Sequence, residues 1–245
     1  MAHITRKPIE IWAGSKLASS IRVGAVPEAK GSTLQVGPPL SAALPEGGFP
    51  RGSVIELASP GNLGHGLGVA LSAFSASQEA SAGAGEMAWC AFLDPDQTLF
   101  GPAVQASGVC LERLLVVRPP RHLLAKVAVR VALSRIFSVI VVDVAAVPGA
   151  TSSQQHRFEA MAAWSKVARR LALAVEKTPT TVFLLTRTEA RRTSALPVAM
   201  RIELENGDDG NLLVRIAKDR LGRVTSPYKI AWTRQRVASR AKGVG

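Results

Sequence analysis

The sequence predicts an α/β fold: a mostly parallel, twisted sheet flanked by helices, ending in an antiparallel meander. Three observations lead there. Short strand-like runs alternate with longer segments of helical periodicity between residues 53 and 185, the pattern of a sheet with helices on both faces. One run, Val139-Ile140-Val141-Val142-Asp143, is unbroken and apolar until its last residue, as a buried strand would be. Beyond residue 198, strand-like runs follow one another with only turns between them.

The elements follow in chain order. Residues 1–40 read as an N-terminal arm and linker: Thr5 to Leu17 form a short helix with Ile9, Ile11, Trp12 and Leu17 on an imperfect apolar face, followed by a Gly-, Pro- and Ser-rich stretch through Pro39. Residues 41–232 form the core, and 233–245 a basic C-terminal tail. Strands are expected at 53–58, 87–93, 113–117, 138–143 and 180–185, with helices at 66–79, 101–107, 121–135 and 154–175. On helix 121–135 the apolar stripe is Leu124, Val127, Ala128 and Val131. On helix 154–175 it is Phe158, Met161, Ala162, Ser165, Ala168 and Ala172, with Trp164 off the stripe, packed under a loop or serving as a partner anchor. The bases on both helices read as solvated faces. Strands 198–204, 212–218 and 227–232 make the meander, with turns at Asn206-Gly207-Asp208-Asp209-Gly210 and Leu221-Gly222-Arg223. A chain of 245 residues can bury one substantial core.

The segment Ser59-Pro60-Gly61-Asn62-Leu63-Gly64-His65-Gly66 lies between a strand and a helix, where a phosphate-binding loop of pattern G-x-x-x-x-G-K-[ST] would lie. Ser59 stands for the first glycine, His65 for the lysine and Gly66 for the Ser/Thr, and only Gly64 keeps its expected identity. A histidine is mostly neutral at pH 7 and reaches less far than a lysine. Gly66 has no hydroxyl to hold Mg²⁺. One charge-assisted hydrogen bond is worth roughly 1.5–3 kcal/mol, about ten- to a hundred-fold in affinity. Losing lysine and metal ligand together removes useful nucleotide binding. The other reading of the segment is a Gly-rich turn before a helix. Two further strands end in acids: Asp143, and Ala91-Phe92-Leu93-Asp94-Pro95-Asp96. In open α/β folds ligands bind at that carboxyl end.

These segments, with the lead-in Leu44-Pro45-Glu46-Gly47-Gly48-Phe49-Pro50-Arg51-Gly52, the run Thr181-Val182-Phe183-Leu184-Leu185-Thr186 and the run Val214-Arg215-Ile216-Ala217-Lys218-Asp219-Arg220, resemble the RecA recombinase family in order and spacing, from about Leu34 to Ile230. The resemblance makes the expected fold a RecA-like core and Asp143 the Walker B aspartate. It sets Asp96 where the family has its catalytic glutamate, and Arg187 where a glutamine couples nucleotide to the second DNA loop. Lys218 and Arg220 correspond to bases that reach a neighbouring subunit's nucleotide. It also implies two DNA-facing loops, one from Val147 through Gln155 with Gly149, Thr151, Ser152 and Ser153, the other with Arg187, Arg191 and Arg192. The family's N-terminal helix docks on the next subunit; Trp12 would serve such self-association, or fold back on its own core.

Within that family, the absent phosphate lysine is most similar to the ImuA-type accessory proteins of SOS-inducible mutagenic translesion synthesis. The implied function is non-catalytic: no catalytic residue, no metal and no cofactor. The implied partners are RecA or the RecA–DNA filament, an ImuB-type polymerase-like protein, an error-prone replicative-type polymerase, and single-stranded DNA bound without sequence preference. The implied location is cytoplasmic and nucleoid-associated. The alternatives are a SulA-type cell-division inhibitor and a DNA-dependent ATPase with a rearranged phosphate site.

Charge and composition narrow the choice. The net charge is +12, and from Leu212 onward nine bases (Arg215, Lys218, Arg220, Arg223, Lys229, Arg234, Arg236, Arg240 and Lys242) face Asp219 alone, a net +8. Such asymmetry points to nucleic acid or an acidic partner, or to a solvated basic end. Aromatics make up 5% of the chain, too few for base stacking to dominate binding. Cys90 and Cys110 read as buried free thiols of a reducing compartment, and His3, His65, His122 and His156 form no metal-ligand spacing. The N-terminus lacks the apolar region of a secretory signal, and no apolar run approaches the roughly 18 residues of a membrane span.

Overall fold

A computed structural model describes residues 32–60, 64–82, 85, 87–144, 154–187 and 196–232, without the side chains of 151–162 and 209. Ten strands are present among these residues: β1 (Thr33–Gln35), β2 (Gly48–Pro50), β3 (Ser53–Ser59), β4 (Trp89–Leu93), β5 (Leu114–Val117), β6 (Phe137–Asp143), β7 (Thr181–Arg187), β8 (Met200–Asn206), β9 (Leu212–Asp219) and β10 (Tyr228–Ile230). The helices are α1 (Gly64–Ala82), α2 (Gly101–Ala106), α3 (Leu124–Leu133) and α4 (Gln154–Val175).

Eight strands form one sheet in the order β10-β9-β8-β3-β7-β6-β4-β5. From β8 to β5 every neighbouring pair is parallel, whereas β8–β9 and β9–β10 are antiparallel. The expected mostly parallel sheet with a terminal meander is therefore present, and the meander's first strand doubles as a parallel neighbour of β3.

Parallel strands need cover on both faces, because their crossover connections lie on the faces. The side-chain alternation meets this requirement. Ile55 and Leu57 of β3, Cys90 and Phe92 of β4, Val139 and Val141 of β6, and Phe183 and Leu185 of β7 lie in one core with Val69, Ala70, Ala73 and Phe74 of α1. Their alternates Val54, Ala91, Leu93, Ile140, Val142, Val182 and Leu184 lie in a second core with α3 and α4. Both side-chain sets are apolar, which is why these strands read as continuous runs. Small residues on α1 let it sit close to the sheet, where Ser77 shares a hydrogen bond with Ser138 of β6. Gln78 brackets Cys110, accepting from its N–H at 2.8 Å and donating to its carbonyl at 3.1 Å.

Four sequence expectations change. Residues 33–40, read as linker, belong to the core: β1 pairs antiparallel with β2, and Leu34 and Leu40 are buried in the α1-side core. Phe49 of β2 meets Phe183 edge-on, with ring centroids 4.9 Å apart. Trp164 is no partner anchor. It is 4% exposed and lies in the second core with Ala168, Leu171, Ala174 and Val175, so the buried stripe of α4 is rotated from the expected one. Ser165 and Ala172 are only half-buried, and Phe158, Met161 and Ala162 lie outside the described side chains. On α3 the fully buried stripe is Leu124, Ala128 and Ala132, with Val127 and Val131 at its margin. Cys90 is buried, and burial pushes its thiol up, but Cys110 is only partly buried. Trp12 and the tail from 233 lie outside the described residues. No helix among the described residues is long and apolar enough to cross a membrane.

Truncating Trp164 to Ala should cost about 3–5 kcal/mol, the usual range for a large aromatic removed from a core. Urea unfolding followed by circular dichroism measures it; a loss under 1 kcal/mol would mean the ring is not packed as described.

Candidate functional site

The carboxyl ends of β3, β7, β6 and β4 lie side by side, and each bears a residue singled out by the sequence. Ser59 ends β3 and is in register with Arg187, which ends β7; Asp143 ends β6, in register with Leu185. Asp94 follows β4 directly. Gly61 lies outside the described residues, and α1 begins at Gly64.

The first turn of α1 presents glycines and one histidine. His65 is 5% exposed, and its Nε2 lies 2.5 Å from Oδ1 of Asn206, the last residue of β8. The imidazole is thus directed to the sheet's antiparallel half. Its Nδ1 and the hydroxyl of Ser59 are buried without a hydrogen-bond partner among the described residues. A Cβ at Gly66 would lie 3.5 Å from the Ser59 hydroxyl and 3.7 Å from Leu185, ordinary contact distances. One turn on, the indole of Trp232 lies over Gly68, where an added Cβ would come within 3.2 Å of Cζ2. Glycine is used here for the close approach of an aromatic ring to helix backbone. Trp232 therefore fastens the end of the described chain onto the start of the second turn of α1.

The acids at this edge are engaged. Asp94 is fully buried and accepts from the Thr98 N–H at 2.9 Å, the Thr98 hydroxyl at 3.2 Å and the Leu99 N–H at 3.1 Å. It shapes the turn after β4, with Arg118 at 3.8 Å. Asp96, in the position of the expected catalytic acid, is ion-paired with Arg121 at 2.7 Å. Asp143 is 1% exposed. Behind this edge a fully buried carboxylate, Glu56 of β3, accepts from the Thr186 hydroxyl at 2.7 Å and faces Arg201 of β8 at 3.4 Å.

The basic end is more neutral than its sequence. Arg215 pairs with Glu203 at 3.3 Å, and Lys218 donates to the Leu196 carbonyl at 2.9 Å. Arg223 clamps two acids, Asp219 at 2.5 Å and Glu46 at 2.9 Å. Burial works to raise the Asp219 carboxyl, but the hydrogen bond and charge of Arg223, with backbone N–H groups, hold it below its usual range. Hydrogen bonds from Thr33 and then Arg223 lower Glu46 likewise. Arg220 and Lys229 are exposed and carry no ion pair among the described residues. Arg191, Arg192, Arg234, Arg236 and the loop from Val147 to Ser153 lie outside those residues.

Sequence reasoning missed Asn206, Trp232, Glu56 and Arg201. The alternate glycines Gly64, Gly66 and Gly68, spaced through one helix turn, were the available signal that something packs on this backbone. Among the described residues no group of His, Cys, Asp and Glu could hold a metal ion. No family model matches the chain, and a search of curated proteins returns no match.

Two outcomes follow. His65→Ala and Asn206→Ala should each cost about 1–2 kcal/mol, with a coupling of about 0.5–1.5 kcal/mol in the double variant; additive losses in thermal unfolding would deny the contact. For Asp219 the folded carboxyl titrates lower than the unfolded one, so its stabilisation is present above the ordinary carboxylate range and is lost as pH falls through the folded value. Arg223→Ala should therefore narrow the stability gap between pH 7 and pH 3, and only modestly, because solvent screens the partly exposed guanidinium. An unchanged gap would remove Arg223 as the cause.

Proposed function

We propose that this protein is a non-catalytic RecA-like accessory factor of SOS-induced mutagenic translesion DNA synthesis, of the ImuA type. It acts by docking on RecA or the RecA–DNA filament, on an ImuB-type polymerase-like protein with its error-prone replicative-type polymerase, and on single-stranded DNA. The observation that carries this reading is the first turn of α1. The side chain at the lysine position is His65, directed to Asn206, and the residue at the metal-ligand position is Gly66. Neither can hold a terminal phosphate or its Mg²⁺. The motifs of the resemblance support it too, since Ser59, Asp143 and Arg187 end, and Asp94 directly follows, adjacent parallel strands at one edge.

Turnover is not needed for such a role. The partner filament supplies the nucleotide chemistry, and this chain supplies surfaces. On the described part of the basic end the exposed, unpaired bases are Arg220 and Lys229, and the sequence continues into Arg234 and Arg236.

The test has two arms. Labelled ATP with Mg²⁺ should give no saturable binding up to millimolar concentration. The purified protein should be captured by RecA filaments on single-stranded DNA, and should itself bind single strands with a log–log salt slope of roughly −3 to −4, about four to six phosphate contacts. Micromolar ATP binding with DNA-stimulated turnover would make it an ATPase. Failure to bind DNA or RecA, with an effect on a division GTPase's assembly, would make it a SulA-type inhibitor.

A further inference from the structure

The outer face of α3 and α4 is the most strongly charged described surface that the reading above leaves unused. Both helices cover the same side of the sheet and pack against each other. Each returns from a strand's carboxyl end to the next strand's amino end, so they run parallel, with axes about 8–10 Å apart. Opposite its buried stripe, α3 exposes Lys126, Arg130 and Leu133; α4 exposes Lys166, Arg170 and Leu173, with Arg169 beside them. The spacing K-x-x-x-R-x-x-L is the same in both helices, so two matching rows of bases stand side by side.

The rows are not offset by acids. The sequence of α3 contains no Asp or Glu, and that of α4 contains Glu159 alone, near its start. No ion pair to Lys126, Arg130, Lys166, Arg169 or Arg170 occurs among the described residues. Each row is extended by a basic residue just past the helix, Arg135 (φ 54°) and Lys177 (φ 59°), both exposed and left-handed. Glycine is the usual occupant of such a position. A base there adds charge in a conformation that disfavours a side chain, although it also suits the helix dipole. Glu176 is the one acid beside them.

We propose that this two-helix face binds the phosphate backbone of duplex nucleic acid, independently of sequence. Within a row, four residues advance about 6 Å along the axis, and the usual spacing of packed helix axes, about 8–10 Å, lies between the minor- and major-groove widths of about 6 and 12 Å. Rigid, evenly spaced bases suit a stiff duplex. Single strands bound without sequence preference use stacking on exposed aromatics as well as phosphate contacts, and the one aromatic among the described side chains of α4, Trp164, is buried. An acidic protein would need an apolar or aromatic centre, and a membrane would need a continuous apolar stripe. Leu133 and Leu173 are isolated among charges. Arg130 and Leu133, with Arg135 and Lys177, lie toward the amino edge of the sheet, away from Ser59 and Arg187, so this surface does not rest on the assignment of the carboxyl edge.

The experiment uses the full chain and a fluorescein-labelled 30-bp duplex of random sequence, read by anisotropy between 50 and 200 mM salt. Lys126→Glu/Arg130→Glu/Lys166→Glu/Arg170→Glu should weaken duplex binding at least tenfold and flatten the salt slope by about 0.9 for each phosphate that is no longer neutralised. Ala80→Glu/Gln105→Glu, on the helices of the sheet's other face, should leave duplex affinity within about twofold. The four-Gln counterpart serves if the Glu variant does not fold, and the charge-conserving Arg130→Lys/Arg170→Lys variant should bind as the parent does. The proposal is overturned if the parent fails to bind duplex at 50 mM salt, or if the helix-face variant binds as well as the parent. It is also overturned if that variant keeps duplex affinity while losing binding to anionic phosphatidylserine vesicles or to polyglutamate.

Discussion

Everything in this molecule is arranged around one constraint: a parallel sheet cannot leave either face in water. Apart from Glu56 and a few Ser and Thr residues, the strands β3, β7, β6 and β4 are apolar on both sides up to their ends, so each crossover must return over a face and bury it. That requirement sends α1 to one side and α3 and α4 to the other. It also collects the strand ends Ser59, Arg187, Asp143 and the turn at Asp94 along one edge. The antiparallel strands β9 and β10 relax it. They extend the sheet beyond β8, and their second face carries charged residues in place of a helix.

The transition between those regimes falls at Glu56. This carboxylate points to the α4 side from the middle of the central strand and is fully buried. An unpaired charge there would be untenable. Thr186 on one neighbouring strand and Arg201 on the other meet it, and Arg201 passes the interaction on to Glu203 and Arg215. The chain of pairs runs from dry core to solvated face across β3, β8 and β9. Replacing a buried pair by apolar groups is often harmless to stability, so the network is better understood as fixing register: a slip of β8 against β3 would strand Glu56 without its guanidinium.

Local patterns were legible in the sequence where one period decided them. The runs at 53–58 and 138–143 and the helix at 154–175 recur in the structure within a residue or two, because a doubly buried strand and a long amphipathic helix each have a distinct signature. Non-local choices were not legible. The expected stripe on α4 runs through Phe158, Met161, Ala162, Ser165, Ala168 and Ala172, but the bulky Trp164 takes an inner position beside Ala168, since filling the space over β3 and β7 decides the rotation of an alanine-rich helix. The basic end looked uniformly available, yet Arg223 finds Glu46 from 177 residues away, and Lys218 finds a carbonyl. No window over the sequence contains those partners. The same holds for His65 with Asn206, and for Gly68 with Trp232.

Those pairings also decide where the excess charge of +12 is expressed. In the β8–β9 region bases alternate with acids across strands, so their fields cancel at short range. On α3 and α4 the bases lie outside the reach of any described acid. Neither core needs them there: Leu124, Ala128 and Ala132, and Trp164, Ala168 and Leu171, bury these helices from the opposite side. Like charges in adjacent rows repel, a cost to the folded state that no internal contact offsets. A polyanion offsets it by releasing its condensed counterions. Among the described residues the unpaired positive charge therefore stands chiefly on a helix face that the strand-end motifs do not include, and the acids of the sheet edge most resembling a nucleotide site are engaged.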